Sequence, residues 1–220
     1  MNRFDGVIFD LDGTLIDSLR DIANAANATL QELGKPTCTL ESFKTHVGDG
    51  VSVLFQRALP ETQSDPSLLA QCMSIYQGHY DAGWDLCTRP YPGIEKMLER
   101  VIAQGIRLAV LSNKPDHFTK RCVERFFPGV AFSHVVGHSE RFPRKPDPTS
   151  AKWIASQLST DPLRVAYVGD TNTDMLTATG AGLYSIGVSW GFRHVDEIRQ
   201  AGAKIICDTA GELVTILTEC

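Results

Sequence analysis

The 220-residue sequence contains no C-x-x-C pair. Its six cysteines, Cys38, Cys72, Cys87, Cys122, Cys207 and Cys220, are scattered, which leaves no basis for a zinc or dithiol redox site. There is no basic block either. Lysine plus arginine number 21 against 26 acidic residues, a formal net charge of −5, which excludes general nucleic-acid binding. No run approaches the roughly 18 apolar residues of a membrane helix, so no membrane partner is expected. The first apolar run breaks at Asp10, too early for a signal peptide. Scattered thiols in a chain of this size fit a reducing compartment, and the protein is expected to be soluble and cytoplasmic. Internal repeats and biased segments are also missing. What remains is an ordinary globular composition, 43% hydrophobic and 21% charged, which excludes disorder. A chain this long buries a sizeable core without disulfide or metal staples.

Short β-rich runs alternate with helical patterns. The runs are Gly6–Phe9, Ile106–Leu111, His134–Val136, Val165–Val168, Tyr184–Val188 and Lys204–Ile206. Apolar at consecutive positions, they predict a buried parallel sheet built from βαβ units. Ile94, Met97, Leu98, Val101 and Ile102 form one helical face, stopped by Gly105. Leu19, Ile22, Ala23, Ala26, Leu30 and Leu33 form another, ended by Gly34 and Pro36.

The spacing of the first two strands is anomalous. A crossover needs about 10–30 residues, and the helix between Gly93 and Gln104 already supplies one. Residues 16–88 are therefore surplus. They read as helices over Asp17–Leu33, Leu40–Lys44, Val51–Leu59 and Pro66–Tyr80. The expected fold is an α/β, Rossmann-like parallel-sheet core (1–15 and 89–220) with a helical cap domain (16–88) inserted after the first strand.

In open α/β sheets, ligands bind beyond the carboxyl ends of the strands. Those ends carry Asp10-Leu11-Asp12-Gly13-Thr14, then Ser112-Asn113-Lys114, then Lys145-Pro146-Asp147 after a loop, then Gly169-Asp170-Thr171-Asn172-Thr173-Asp174. Convergence at one edge gathers several carboxylates, which cannot all ionise together without a cation. Hard oxygen ligands suit Mg²⁺, an ion that also takes a substrate phosphate. Lysine and serine supply the point charge and hydroxyl donor of a phosphate site. Neither acidic stretch is a calcium loop: the sixth positions are Leu15 and Met175, where glycine is required. The six histidines show no metal spacing.

Asp10-Leu11-Asp12-Gly13-Thr14-Leu15-Ile16-Asp17-Ser18 resembles the first motif of the haloacid-dehalogenase-like superfamily. Ser112, Lys145 and the Asp170–Asp174 pair resemble its second, third and fourth motifs, and residues 16–88 resemble its helical cap. The resemblance implies a Mg²⁺-dependent phosphomonoester hydrolase whose substrate is a small phosphorylated metabolite. It implies that Asp10 is the nucleophile, forming an aspartyl phosphate, and Asp12 the acid/base. Ser112 and Lys145 would hold the phosphoryl oxygens, with Thr14 and Asn113 beside them. Asp10, the Asp12 backbone carbonyl and Asp170 would hold the metal, with Asp174 behind them orienting Lys145. Lys114 stays open, as phosphate ligand or not. Asp12 separates this chain from the dehalogenase and phosphonate-hydrolysing branches. A phospho-receiver module shares the acidic cluster but is shorter and carries no helical insert.

The cap must choose the substrate, because the core motifs read only phosphate. Gly48-Asp49-Gly50 precedes an apolar helix and resembles the corresponding segment of phosphoglycolate phosphatases. Its backbone N–H groups would receive a carboxylate; plain turn chemistry is the other reading. The alternatives within the superfamily are a sugar-phosphate or nucleotide phosphatase and a hexose-phosphate mutase.

Overall fold

The structure, a computed structural model, describes residues 3–159 and 161–219; Met1 and Asn2 at the start and Cys220 among the cysteines lie outside the described residues. In chain order the elements are β1 (Gly6–Phe9), β2 (Ile16–Asp17), α1 (Leu19–Glu32), α2 (Leu40–His46), α3 (Val51–Ala58), α4 (Pro66–Gly83), β3 (Arg89–Pro90) and α5 (Ile94–Ala103). Next come β4 (Arg107–Pro115), α6 (Asp116–Phe126), β5 (Phe132–His138), α7 (Thr149–Leu158), β6 (Val165–Gly169), α8 (Asn172–Ala181), β7 (Tyr184–Val188), α9 (Val195–Gln200), β8 (Ile205–Cys207) and α10 (Ala210–Thr218). The chain divides into two compact units, Met1–Ile16 with Pro90–Cys220, and Asp17–Arg89.

The first unit holds a six-stranded sheet in the order β5-β4-β1-β6-β7-β8, and every neighbouring pair is parallel. A strand buried on both faces must be apolar throughout, and all residues of β1 and β6 are buried. From β1 the chain steps outward through β4 to β5, then crosses back to β6 and steps outward the other way. The order therefore reverses between β1 and β6, the switch point where such sheets leave a crevice at their carboxyl ends. Ile8, Ala109, Leu111 and Tyr167 from the sheet pack with Ala151, Ile154 and Leu158 of α7 and Ala178 of α8.

Two sequence expectations change. Strand β4 continues to Pro115 rather than stopping at Leu111, because backbone pairing with β5 persists, with a shifted register, after the apolar side chains end. Ser112, Asn113 and Lys114 thus sit on a strand end, not a loop. Ile102 is exposed, off the buried face formed by Ile94, Met97, Leu98 and Val101.

In the second unit α1 packs along α4. Leu19, Ile22, Ala23, Ala26 and Leu30 are buried, as the stripe predicts. Phe55 meets Tyr76 edge-on, and Tyr76 stacks on Tyr80. The buried Asp21 carboxylate accepts the N–H groups of Cys87 and Thr88 and the Thr88 hydroxyl at 2.8–3.0 Å, fastening the end of the unit to its first helix.

Candidate active site

Asp10 directly follows β1 and Asp170 directly follows β6, so the switch point brings them together from 160 positions apart. Asp174 joins them from the first turn of α8. There it closes a capping box: Thr171 Oγ1 accepts the Asp174 N–H at 3.3 Å, while Asp174 Oδ2 accepts the Thr171 N–H at 3.1 Å and its hydroxyl at 2.6 Å. One oxygen from each of Asp10, Asp170 and Asp174 lies within 4.8 Å of the others. Lys145 enters this cluster with Nζ 2.7 Å from Asp174 Oδ1 and 2.8 Å from Asp10 Oδ1. The latter contact is ionic without hydrogen-bond alignment. Among the described residues, buried Asp10 Oδ1 has no aligned donor.

Charge decides what this cluster needs. Three carboxylates and one ammonium, all buried, sum to −3 + 1 = −2 if fully ionised. Burial and the repulsion of Asp174 hold the Asp10 carboxyl well above the usual carboxylate range. The same two causes push Asp170 up to about 7, against the N–H of Phe192 and the hydroxyl of Thr14, which favour its ionised form. Burial alone would lower Lys145, but the carboxylates of Asp10 and Asp174 outweigh it and raise the ammonium well above its ordinary value. A divalent cation would supply the missing two positive charges. The carboxylates offer hard oxygens, and Asp10 has one with no aligned donor, so the residues fit Mg²⁺.

Asp170 is fixed by two donors, Thr14 Oγ1 at 3.0 Å to Oδ1 and the Phe192 N–H at 2.8 Å to Oδ2. Thr14 therefore braces an acidic residue of the cluster. Its carbonyl in turn accepts the Trp190 indole N–H at 3.1 Å. A Cβ on Gly13 or on Gly191 would collide with the Asp170 carboxylate, and Gly13 also has φ +89°. These close approaches require glycine.

The remaining expected residues divide. Ser112 is buried, and its hydroxyl oxygen accepts the Lys114 N–H at 3.2 Å. Asn113 was expected at the substrate. Its side chain brackets the Lys145 backbone, accepting its N–H at 2.9 Å and donating to its carbonyl at 3.1 Å. The Asp12 carboxylate stays out of the cluster and pairs with Lys114 at 2.9 Å. In the helical unit, Gly48 (φ +117°) and Gly50 (φ +91°, the N-cap of α3) have a conformational reason to be glycine whatever they bind. Asp49 pairs with Arg57 at 2.6 Å, and Arg57 also donates to the carbonyls of Thr45 and His46. Asp49 thus braces its own loop.

Two contributors were missed from the sequence. Tyr167, within β6, donates its hydroxyl to Asp174 Oδ1 at 3.2 Å, and nothing in an apolar strand pattern singles it out. Trp190 to Phe192 follow β7. They lie just past the carboxyl end of that strand, the placement that marks the other site residues in the sequence.

Residues 7–188 match the family described as haloacid dehalogenase-like hydrolase. The chain is 31% identical over 217 residues to a phosphoglycolate phosphatase of Aliivibrio fischeri, covering 96% of each. It is 32% identical over 206 residues to a phosphoglycolate phosphatase of Pseudomonas putida, covering 92% of this chain and 75% of the relative. Its fold is similar to the crystal structure of a candidate phosphoglycolate phosphatase from Lactobacillus delbrueckii subsp. bulgaricus, with TM-score 0.93, 28% identity and 100% of each chain covered.

Proposed function

The chain belongs to the haloacid dehalogenase-like hydrolase family and is a phosphatase, and we propose that its substrate is 2-phosphoglycolate, cleaved to glycolate and phosphate. The observation that carries the chemistry is the buried cluster of Asp10, Asp170, Asp174 and Lys145, whose charge is short by a divalent cation. The substrate class comes from the phosphoglycolate phosphatases to which the chain is similar along almost its whole length.

The roles follow from chemistry at the named atoms. Asp10 attacks phosphorus through a carboxylate oxygen, and the bond from phosphorus to the ester oxygen breaks. Asp12 gives its proton to the departing alkoxide. It then takes a proton from the water that attacks the aspartyl phosphate, and Asp10 leaves as carboxylate. Ser112 and Lys145 hold phosphoryl oxygens as charge develops. Asp10, Asp170 and the Asp12 carbonyl would hold Mg²⁺, with Asp174 fixing Lys145 behind them. When bound, the ion supplies charge neutralisation and Lewis acidity at a phosphoryl oxygen. Recognition of the glycolate carboxylate belongs in this reading to backbone N–H groups of the Gly48–Gly50 segment. Scattered cysteines without C-x-x-C spacing support a reducing, cytoplasmic setting, and among the described residues no helix is long and apolar enough to cross a membrane.

The test is phosphate release from 2-phosphoglycolate, sugar phosphates and nucleotides at equal concentration, with Mg²⁺ and with chelator. The expected kcat/KM for 2-phosphoglycolate exceeds every other by at least ~10-fold, about 1.4 kcal/mol of transition-state binding. A sugar phosphate or nucleotide turned over faster would overturn the substrate and leave the phosphatase.

A further inference from the structure

Asp12 is the carboxylate of the first motif that stays out of the metal-competent cluster. Its two oxygens lie 2.9 and 3.1 Å from Lys114 Nζ. The side chains are 12% and 5% exposed, so little solvent competes for the pair. Lys114 is itself well fixed. It sits near the end of β4, which pairs in register with β1 from Gly6↔Arg107 to Phe9↔Val110, so the residue after one strand end is held beside the other. Its N–H donates to Ser112 Oγ at 3.2 Å, and its carbonyl accepts the Thr119 hydroxyl at 3.1 Å. Lys145 meanwhile serves Asp10 and Asp174. Two buried lysines are thus divided between the nucleophile's cluster and the acid/base.

A lysine beside a phosphoryl site is ordinarily read as a phosphate ligand. Here the ammonium sits in the fork of one carboxylate, within hydrogen-bond distance of both its oxygens. A forked contact of this kind restricts rotation of the carboxylate, which otherwise turns freely about its last bond. Proton transfer requires the carboxyl oxygen within hydrogen-bond reach of both the leaving oxygen and the attacking water, so orientation is worth rate.

We propose that Lys114 is a positioning residue that acts on the reaction through Asp12, holding its carboxylate in the orientation from which it exchanges protons with the leaving group and the water. This rests on the phosphatase reading above, in which Asp12 is the acid/base. In the first step the Asp10–phosphorus bond forms, the ester bond breaks and the proton passes from Asp12 to the alkoxide. In the second, water oxygen bonds phosphorus, its proton passes to Asp12 and the Asp10–phosphorus bond breaks. Lys114 neither gains nor loses a proton in either.

The consequence is a kinetic signature. An aryl phosphate such as 4-nitrophenyl phosphate needs no proton on its leaving group, so its first turnover bypasses Asp12, whereas every later turnover needs it. In Lys114→Met, rapid-quench kinetics should show a first burst of nitrophenolate at the wild-type rate, which also reports an intact fold. A steady state about 10-fold slower should follow, with KM lowered by the same factor, since kcat/KM reports only the unaffected first step. Turnover of 2-phosphoglycolate should fall by a similar factor. Adding Lys114→Met to Asp12→Asn should cost nothing further, because residues acting through one group are non-additive. Lys114→Arg should recover part of the loss. A slowed burst with raised KM, or full additivity with Asp12→Asn, would overturn the proposal in favour of a phosphate ligand. The pair itself has a readout outside activity: the ¹⁵N signal of the Lys114 ammonium, identified by its loss in Lys114→Met, should move in Asp12→Ala. An unmoved signal refutes the pair. A wild-type enzyme inert to both esters would overturn the phosphatase reading, and the role with it, even where that signal moves.

Discussion

Replacing Asp170 by asparagine should stabilise the metal-free protein while abolishing its catalysis. Asp170 is fully buried, and its pKa rises from 3.8 to about 7 because burial and Asp174 disfavour its charge. An acid whose folded pKa lies above its unfolded value holds its proton more tightly when folded. Its contribution to stability is full below pH 3.8 and is lost progressively as pH rises through about 7. The loss is about 1.36 kcal/mol per unit over some three units, so about 4 kcal/mol for the ionised group at pH 8. Asparagine keeps the shape without the charge. Its carbonyl can accept the Phe192 N–H, and its amide can donate to Thr14 Oγ1, which otherwise donates to the carboxylate. In chelator at pH 8, Asp170→Asn should therefore melt about 10 °C above wild type. At pH 5 the gap should narrow to about 2 kcal/mol, because only the unfolded-state carboxyl has ionised, and it should close below pH 3.8. Asp10 titrates in the same direction as Asp170, and His138, lowered by burial, in the opposite one. Comparing variant with wild type at each pH cancels His138, while Asp10, itself raised in part by repulsion from Asp170, is relieved in the variant and adds to the gap in the same direction. Mg²⁺ should raise the wild-type melting temperature at pH 8 and leave the variant's almost unchanged. Equal metal-free melting at pH 8, or a variant below wild type, would refute the charge accounting.

Asp10→Asn should keep its circular dichroism spectrum and thermal unfolding yet lose at least ~10³-fold in turnover, because an amide cannot form the aspartyl phosphate. Wild-type turnover should disappear on chelation and return with Mg²⁺, while Ca²⁺, with its looser geometry, should restore little in the same phosphate-release assay. Gly191→Ala drives a methyl into the Asp170 carboxylate; the Mg²⁺ concentration for half-maximal activity should rise at least ~10-fold. Gly48→Ala strains a backbone at φ +117°. If that segment reads the carboxylate, turnover of 2-phosphoglycolate should fall further than turnover of 4-nitrophenyl phosphate, and equal losses would mark it as an ordinary turn.

Much of this site was legible because α/β folds obey a simple placement rule: chemistry-bearing residues follow strand ends. Asp10, Lys145, Asp170 and Asp174 could be read that way, each lying just beyond an apolar run or a short loop after one. What the sequence hid is which polar group holds which. Asn113 and Thr14 were read as ligand-side residues, and the sequence did not show that they also hold Lys145 and Asp170. A short polar residue near an active site has the same one-dimensional signature whether it faces inward to substrate or sideways to a catalytic group. The Asp12–Lys114 pair spans 102 positions, and no periodicity reports an ion pair at that separation. The end of β4 was hidden for a related reason. Apolar patterning marks buried side chains, whereas strand pairing belongs to the backbone, and at Ser112–Lys114 the two part company.

The distribution of donors around the acidic cluster also accounts for a division of labour among three chemically identical carboxylates. Asp174 is saturated: Lys145 and Tyr167 occupy Oδ1, and the backbone and hydroxyl of Thr171 occupy Oδ2. Each hydrogen bond withdraws electron density and fixes orientation, so Asp174 is a poor nucleophile and a rigid support for Lys145. Asp170 carries one donor on each oxygen, which leaves each a lone pair for a cation. Asp10 has one oxygen touched only by the ionic approach of Lys145, without an aligned donor. Nucleophilicity falls as hydrogen bonds accumulate on an oxygen, so the residue with the fewest is the one best able to attack phosphorus. The same shortage makes burial of the Asp10 charge costly, and that cost is what a cation and a phosphoryl group would relieve together. Sequence position assigns Asp10 to the nucleophile by resemblance; its shortage of aligned donors supports the assignment on physical grounds that do not depend on the resemblance.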